Sequence, residues 1–433
     1  MRKLRSRTSP WSSRSRWMAC GLVWCAASAG SLQAQDTATV RRDSLAARLE
    51  RAEEAISLLQ QQLATQAQSS VQAQSRLSVE LTGRVLMSAF SNSRRVNNTD
   101  VPLFVRPDTA SGLPQGGGAM SMRQSTLGVA VTTPQLWGGS FRGDVEVDFF
   151  GGQQPSTGGR HFPLLRLRTA RAVVQWDNRE LLIGQEFPLI SAANPVSLAS
   201  IGTPAFVGNG NLWLWLPQLR GRVETKGAIR VGVAGAILAP TTGDAQTPFD
   251  TDTDNAERSR RPFLQARAHL RWGQDVTAGE VGIGQHRGWM ATKGDSLLAS
   301  TITAADAIIP LTSWLELRGE WYTGTGARAL GGGGIGQLLA PNGSLVESTG
   351  GWAQLNVRTG SRLMLGVGHG YDDPDDTDIA AAGRRKNVAD EIHAHWRPVQ
   401  PLVVGVEYRR MTTTYLRGPF TNDHLQLSFG FEF

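Results

Sequence analysis

Cysteine is nearly absent: Cys20 and Cys25 are the only two in 433 residues. Both fall in an opening that carries Arg2, Lys3, Arg5, Arg7, Arg14 and Arg16, then a short apolar run from Trp17 to Ala27, then small residues. That order is a secretory signal peptide over 1–34, with cleavage after Ala29 or Ala34, and it leaves a mature chain without a thiol. Trp24 stands where a lipoprotein signal needs a small residue, so no lipid anchor is expected. Long hydrophobic runs are also missing. No stretch after the leader reaches about 18 consecutive apolar residues, which excludes a membrane-spanning helix. A surplus of one charge is missing too. Six of the 44 Lys and Arg lie in the leader, leaving 38 against 37 Asp and Glu. The pI of about 10.0 therefore describes mostly the discarded segment, and no nucleic-acid partner is expected. Enzyme signatures are equally scarce. No Gly-x-Ser-x-Gly elbow occurs, and His393-x-His395 lacks a third metal ligand. The acidic runs 250–254 and 372–378 lack the glycine and closing glutamate of an EF-hand loop, and read as solvated faces or divalent bridges to lipopolysaccharide. Neither a catalytic activity nor a cofactor is expected.

What the chain does have is two periodicities in succession. Leu45, Leu49, Ala52, Ile56, Leu59, Leu63 and Gln66 are spaced by four and three, which predicts a coiled-coil helix from Asp43 to about Gln68. About three heptads are marginal alone, so the seam implies self-association of several copies; the alternative is a helix packed on its own body. Residues 69–78 are polar and read as a linker. The expected organisation is a signal peptide at 1–34, a periplasmic coiled coil and linker at 35–78, and a β domain at 79–433.

From Val79 the period is two. Sixteen strands are expected at about 79–90, 121–132, 138–150, 164–176, 179–187, 211–224, 227–239, 262–273, 275–290, 296–310, 313–323, 350–359, 361–371, 387–397, 401–416 and 421–433, most of them long enough to cross an outer membrane when tilted. Links after the even-numbered strands are short. Those after strands one, three, five, seven, eleven and thirteen are long, while those after nine and fifteen are short. Short periplasmic turns and long external loops are the asymmetry of bacterial barrels, and a soluble sandwich has no reason to show it. The terminal stretch agrees: Leu425, Leu427, Phe429, Phe431 and Phe433 alternate with Gln426, Ser428, Gly430 and Glu432. Its apolar face suits lipid, its polar face is expected to line water, and the strand must pair with 79–90 to close the ring. The fold class is thus all-β, a 16-stranded antiparallel transmembrane barrel with an N-terminal periplasmic coiled-coil helix.

Parity assigns the two faces. Arg142, Asp144, Glu146 and Asp148 face in, as do Gln265, Arg267, His269 and Arg271, then Glu316, Arg318 and Glu320, then Glu391, His393, His395 and Arg397. So polar a lumen is expected to hold water as a channel. Arg166, Arg168, Arg220, Arg222, Arg267, Arg271 and Arg318 are the candidate pore-lining residues, offering a basic strip suited to planar carboxylates. The bland alternative is that these charges neutralise one another. Strict alternation also puts Arg171 in lipid if Arg166 and Arg168 face in, and either a bulge or a covering subunit interface would resolve this, the interface being the cheaper assumption. The link 188–210, with Pro188, Pro195 and Pro204 among small residues, either folds into the lumen or stays on the surface.

Several runs carry a family resemblance: Ser121-Met122-Arg123-Gln124-Ser125-Thr126-Leu127-Gly128-Val129, then Trp137-Gly138-Gly139 to Phe150, Leu165-Arg166-Leu167-Arg168-Thr169-Ala170, Leu181-Leu182-Ile183-Gly184-Gln185 and Asn211-Leu212-Trp213. Together they resemble the DcaP-type porins, which share with the phosphate-selective porins a coiled coil ahead of the barrel. The resemblance implies a homotrimer in outer-membrane lipid, a periplasmic helical extension, and arginine-rich pores that take up small anions, dicarboxylates among them. It extends over the mature chain in architecture and over about 79–215 in motif. The rival readings are a phosphate-type anion channel and a structural barrel that anchors its coil to the cell wall or a partner.

Overall fold

The computed structural model of the chain describes residues 77–109, 115–151, 163–242, 252–292 and 296–433. The expected leader, coiled coil and linker up to residue 76 lie outside the described residues.

The alternating sequence folds into one closed sheet. Its strands are β1 (Ser78–Asn92), β2a (Gly117–Ser121), β2b (Thr126–Leu136), β3 (Gly139–Asp148), β4 (Arg166–Gln175) and β5 (Arg179–Glu186). There follow β6 (Leu216–Glu224), β7 (Ile229–Leu238), β8 (Phe263–Trp272), β9 (Gly279–Ala291) and β10 (Leu297–Pro310). The last six are β11 (Leu315–Thr325), β12 (Glu347–Thr359), β13 (Leu363–Pro374), β14 (Arg384–Trp396), β15 (Leu402–Tyr415) and β16 (Gly418–Glu432). β2a and β2b pair with β1 one after the other, Ser88 opposite Ser121 and Arg84 opposite Thr126. They occupy a single place in the wall, so the seventeen segments make a ring of sixteen. Between them four residues, 122–125, stand against three on β1, and this interruption turns Gln124 into the lumen.

Every consecutive pair is antiparallel, and the ring closes where Arg84 to Asn92 of β1 meet His424 to Glu432 of β16. Gly83 and Phe433 exchange two backbone hydrogen bonds at 2.9 and 3.0 Å, so the chain's last residue is part of the seam. Gly430 is where the two strands come closest: a Cβ there would lie 1.8 Å from the Val85 carbonyl oxygen. Gly430→Val is expected to abolish the folded, heat-modifiable band on a gel. A wild-type band would show that the seam tolerates a side chain.

The links after even-numbered strands, such as 137–138, 225–228 and 360–362, lie at one end, where β1 begins and β16 finishes. Trp137 and Gly138 both have positive φ, 52° and 76°, the backbone of a two-residue hairpin turn whose twist matches its strands. Links 93–116, 187–215, 239–262 and 326–346 lie at the other end.

The outer face carries the apolar half of the alternation, with Leu81, Val129, Val145, Ile183, Val233, Ile283, Val367, Ile392, Leu427 and Phe429 all exposed. Trp137, Trp314, Trp396 and Phe433 are exposed at the short-turn end of this band, and Trp289, Trp321 and Tyr371 fall toward the loop end of their strands. An apolar belt between aromatic girdles is the outer surface of a membrane-spanning barrel.

Candidate functional site

The lumen is narrowed by the link 187–215, which leaves the wall at the end of β5 and crosses the inside of the barrel. Ile190, Ser191, Ala193, Ala205, Phe206 and Leu212 within it are buried, and polar wall residues hold its backbone. Gln265 on β8 accepts from the Leu189 amide at 2.6 Å, and Glu320 on β11 accepts from Ser191 Oγ at 2.8 Å. Gln354 on β12 both accepts from the Val196 amide (2.8 Å) and donates to the Val196 carbonyl (2.9 Å). Glu407 on β15 takes Ser197 Oγ at 2.7 Å and the Ala199 amide at 2.8 Å, and also the Leu198 amide. Gln124 accepts from Ile201 and Gly202 at 2.9 and 2.8 Å. A backbone segment without regular structure can be buried only if its amides and carbonyls find partners, and inward-facing Gln and Glu supply them.

This packing corrects the expectation of an evenly water-filled lumen. Gln426 and Ser428 face inward as expected but are covered, with Ser428 Oγ 3.5 Å from the Leu198 carbonyl. His393 and His395 are buried behind the same loop, stacked at 4.5 Å, with His395 Nε2 2.9 Å from Glu407. The lumen side chains that keep partial exposure lie on β3–β6 and around the short-turn end: Arg84, Arg142, Arg171, Arg222, Arg230, Arg271, Arg358 and Arg397 among them.

Arg171 settles the parity conflict in favour of a bulge rather than a covering interface. The β3–β4 register slips between Glu146 and Val147, so that Thr169 faces Glu146 while Leu167 faces Val147. The extra residue, Arg168, resets the alternation. Arg171 therefore sits opposite Asp144 on the same face as the Arg166–Asp148 pair, with its guanidinium 2.9 Å from Asp144 and also bonded to Glu186. The slip brings all three arginines of this strand into the lumen and leaves none of them in lipid.

All seven candidate arginines face the lumen, and six of them meet carboxylates. Arg166 binds Asp148 through two nitrogens at 3.1 and 2.7 Å. Arg168 reaches Glu146 at 2.8 Å and Asp148 at 3.2 Å. Both also donate to carbonyls of the inward loop, Gly202 and Ile201, and both lie over the Trp215 ring, at 5.1 and 4.8 Å. Arg222 pairs with Glu180 at 2.7 Å. Arg271 is 3.1 Å from Glu280 and 3.5 Å from Glu224. Arg318 pairs with Glu316 at 2.5 Å and donates to the Asn194 carbonyl at 2.7 Å.

Arg267 is a structural residue: it is only 5% exposed and clamped by Asp306 at 2.9 and 2.6 Å and Glu280 at 2.6 Å. Arg267→Met should lower the stability of the folded barrel by roughly 3–5 kcal/mol, because it leaves the buried Asp306 carboxylate without its partner, while Glu280 keeps Arg271. A urea titration followed by gel mobility measures this, and an unchanged midpoint would contradict the burial of the triad.

Arg220 differs from the other six. It is bonded to Gln218 at 2.9 and 3.1 Å and to the Phe187 carbonyl at 2.7 Å, with no carboxylate in ion-pair range among the described residues.

Two further clusters carry one carboxylate for two guanidiniums. Glu316 is shared by Arg318 and by Arg358 at 2.8 Å. Glu432 is shared by Arg84 at 2.9 Å and Arg397 at 3.0 Å. Arg84 and Arg358 were absent from the candidate set, although each alternates with apolar neighbours and was open to the same parity reading. The loop anchors Gln124, Gln354 and Glu407 give no sequence signal beyond a polar residue on an inward position. The acidic run 372–378 does not converge on one point: Asp372 accepts from Ile335, Asp373 pairs with Lys386, and Asp376 pairs with Arg385.

This barrel fold has counterparts among solved structures. The outer membrane channel DcaP of Acinetobacter baumannii matches with a TM-score of 0.62 and 18% identity, over 82% of this chain and 97% of that one. The fold is that of an outer-membrane porin. An anion-selective porin from Comamonas acidovorans shares this porin fold at a TM-score of 0.53 and 11% identity, covering 82% of this chain and 100% of that one. So does OprB of Pseudomonas putida, at 0.51 and 11%, covering 82% and 94%. No family model matches the chain, and no curated protein matches it. At these identities the likeness is one of fold.

Proposed function

We propose that this chain is a porin of the bacterial outer membrane, working as three copies, through which small anions, dicarboxylates among them, diffuse passively. The supporting observation is the charge surplus on the accessible lumen: two clusters with two arginines to one carboxylate, and Arg220 with none. These are lumen sites where guanidiniums outnumber the carboxylates they touch.

No chemistry on the solute is required. A planar carboxylate accepts two parallel hydrogen bonds from a guanidinium fork, and each arginine of the two clusters already shares its donors with a glutamate. The solute therefore exchanges with a neighbouring acceptor rather than entering a deep well, which is what conduction needs. In this reading the short-turn end faces the periplasm and the long loops the exterior, and 35–78 is the proposed periplasmic helical extension. The heptads of that extension support several copies. The trimer no longer has Arg171 as an argument, since that residue faces the lumen.

Liposome swelling tests the reading. Vesicles bearing the protein should swell faster in a four-carbon dicarboxylate than in a neutral sugar of similar size. Equal rates would remove the anion preference, a greater rate for phosphate would favour a phosphate-type channel, and no swelling at all would favour a structural barrel that anchors its coil. Mass measurement of the solubilised particle checks the copy number.

A further inference from the structure

On the outer face, near the loop end of β9, two arginines flank a tryptophan. Arg287 shares its face with Ile283 and with Leu264 across the ladder, both exposed, so it points away from the lumen. Its guanidinium lies 5.9 Å from the centre of the Trp289 ring, and that of Arg261, at the foot of the preceding link, lies 5.6 Å from the same ring. Both arginines are exposed. Arg287 donates to Thr301 Oγ1 at 2.8 Å, and neither arginine has a carboxylate in ion-pair range among the described residues.

Their surroundings make this unusual. At the same end of the barrel, outward-facing cations on other strands are neutralised: Lys386 by Asp373 at 2.6 Å and Arg410 by Asp423 at 3.3 Å. A cation costs little at the membrane boundary, about 0–1 kcal/mol, so Arg287 is tolerated there. Tolerance does not explain a second arginine held over the same indole. Two guanidiniums near one ring put two cationic donors beside the apolar belt, which suits a tetrahedral anion whose attached chains lie in lipid.

We infer that Arg261, Trp289 and Arg287 form a binding site for a phosphate of the outer-leaflet glycolipid, lipopolysaccharide. The phosphate sits between the two guanidiniums, and the acyl chains lie against Ile283 and Leu264. This rests on the outer-membrane reading above and is independent of conduction.

The full protein in detergent is titrated with bisphosphorylated lipid A, and complexes are counted by native mass spectrometry. The unmodified protein should bind, the R261E/R287E variant roughly tenfold more weakly, and lipid A stripped of phosphate equally weakly. R261Q/R287Q, which adds no negative charge, should lie between and guards against a folding defect, with the heat-modifiable band as control. Equal binding by the two proteins, equal binding of the dephosphorylated lipid, or saturation of the site by inorganic phosphate alone would overturn the assignment. Channel steps in the same preparations report separately on the porin reading, and the substitutions should leave them unchanged because both side chains lie outside the lumen.

Discussion

Glu407→Ala is expected to loosen the inward loop and raise single-channel conductance roughly twofold, because the narrowest section governs flow. The carboxylate is buried and accepts from Ser197 Oγ, two successive loop amides and His395 Nε2. Its removal leaves four buried polar groups without that acceptor, at about 1–3 kcal/mol for each one left unsatisfied. The loop recovers this energy by moving residues 197–199 into water. Gln124 and Arg409 still hold Ile201, Gly202 and Ser200, so partial release with added flicker is expected rather than loss of the loop. Glu407→Gln keeps one acceptor and should fall between. Unaltered conductance in the alanine variant would mean that this segment does not bound the open passage.

The second large effect is on selectivity. R358E combined with R397E should invert the preference from anions to cations. Both arginines are part-exposed, and each shares its glutamate with a second arginine, so the substitution carries each cluster from one net positive charge to one net negative. At about 10 Å in water a unit charge contributes roughly 0.4 kcal/mol. The four-unit change then amounts to about 1.7 kcal/mol for one ion, or roughly a sixteenfold change in its permeability at low salt, with the opposite sign for the counter-ion. In 1 M salt, where the Debye length is about 3 Å, the shift should shrink markedly. R358K with R397K should keep the sign. Reversal potentials in a salt gradient measure all three, and an unchanged sign in the glutamate variant would remove these clusters from the selectivity mechanism. Reversal at Arg267 is a poor test by comparison, since that residue is locked between Asp306 and Glu280 and its loss disturbs the fold first.

The wall of this molecule was legible in its sequence because each strand obeys a period of two, and turn length follows strand parity. Even the seam was readable, as the alternating strand 421–433 needs a second neighbour and 79–90 is the strand left to supply it. Orientation was legible for the same reason, and it placed all seven candidate arginines in the lumen. Their strength as anion sites was not, since parity says which way a side chain points but not whether a carboxylate meets it. Arg267 and Arg220 have the same parity and opposite circumstances. Arg171 shows the complementary limit: one extra residue at Arg168 inverts every later side chain, and nothing local in Leu165 to Ala170 announces the slip. The inward course of 187–215 was unreadable for a further reason. Its polar groups are satisfied by Gln265, Glu320, Gln354 and Glu407 on four different strands and by Gln124 between β2a and β2b, which come together only when the ring closes.

The reversal potential of the unmodified protein in a planar bilayer under a tenfold potassium chloride gradient tests the central claim most directly. Stable unitary steps whose reversal potential is biased toward chloride are the predicted result. A barrel that inserts but stays silent, or one whose reversal potential is biased toward potassium, would contradict it.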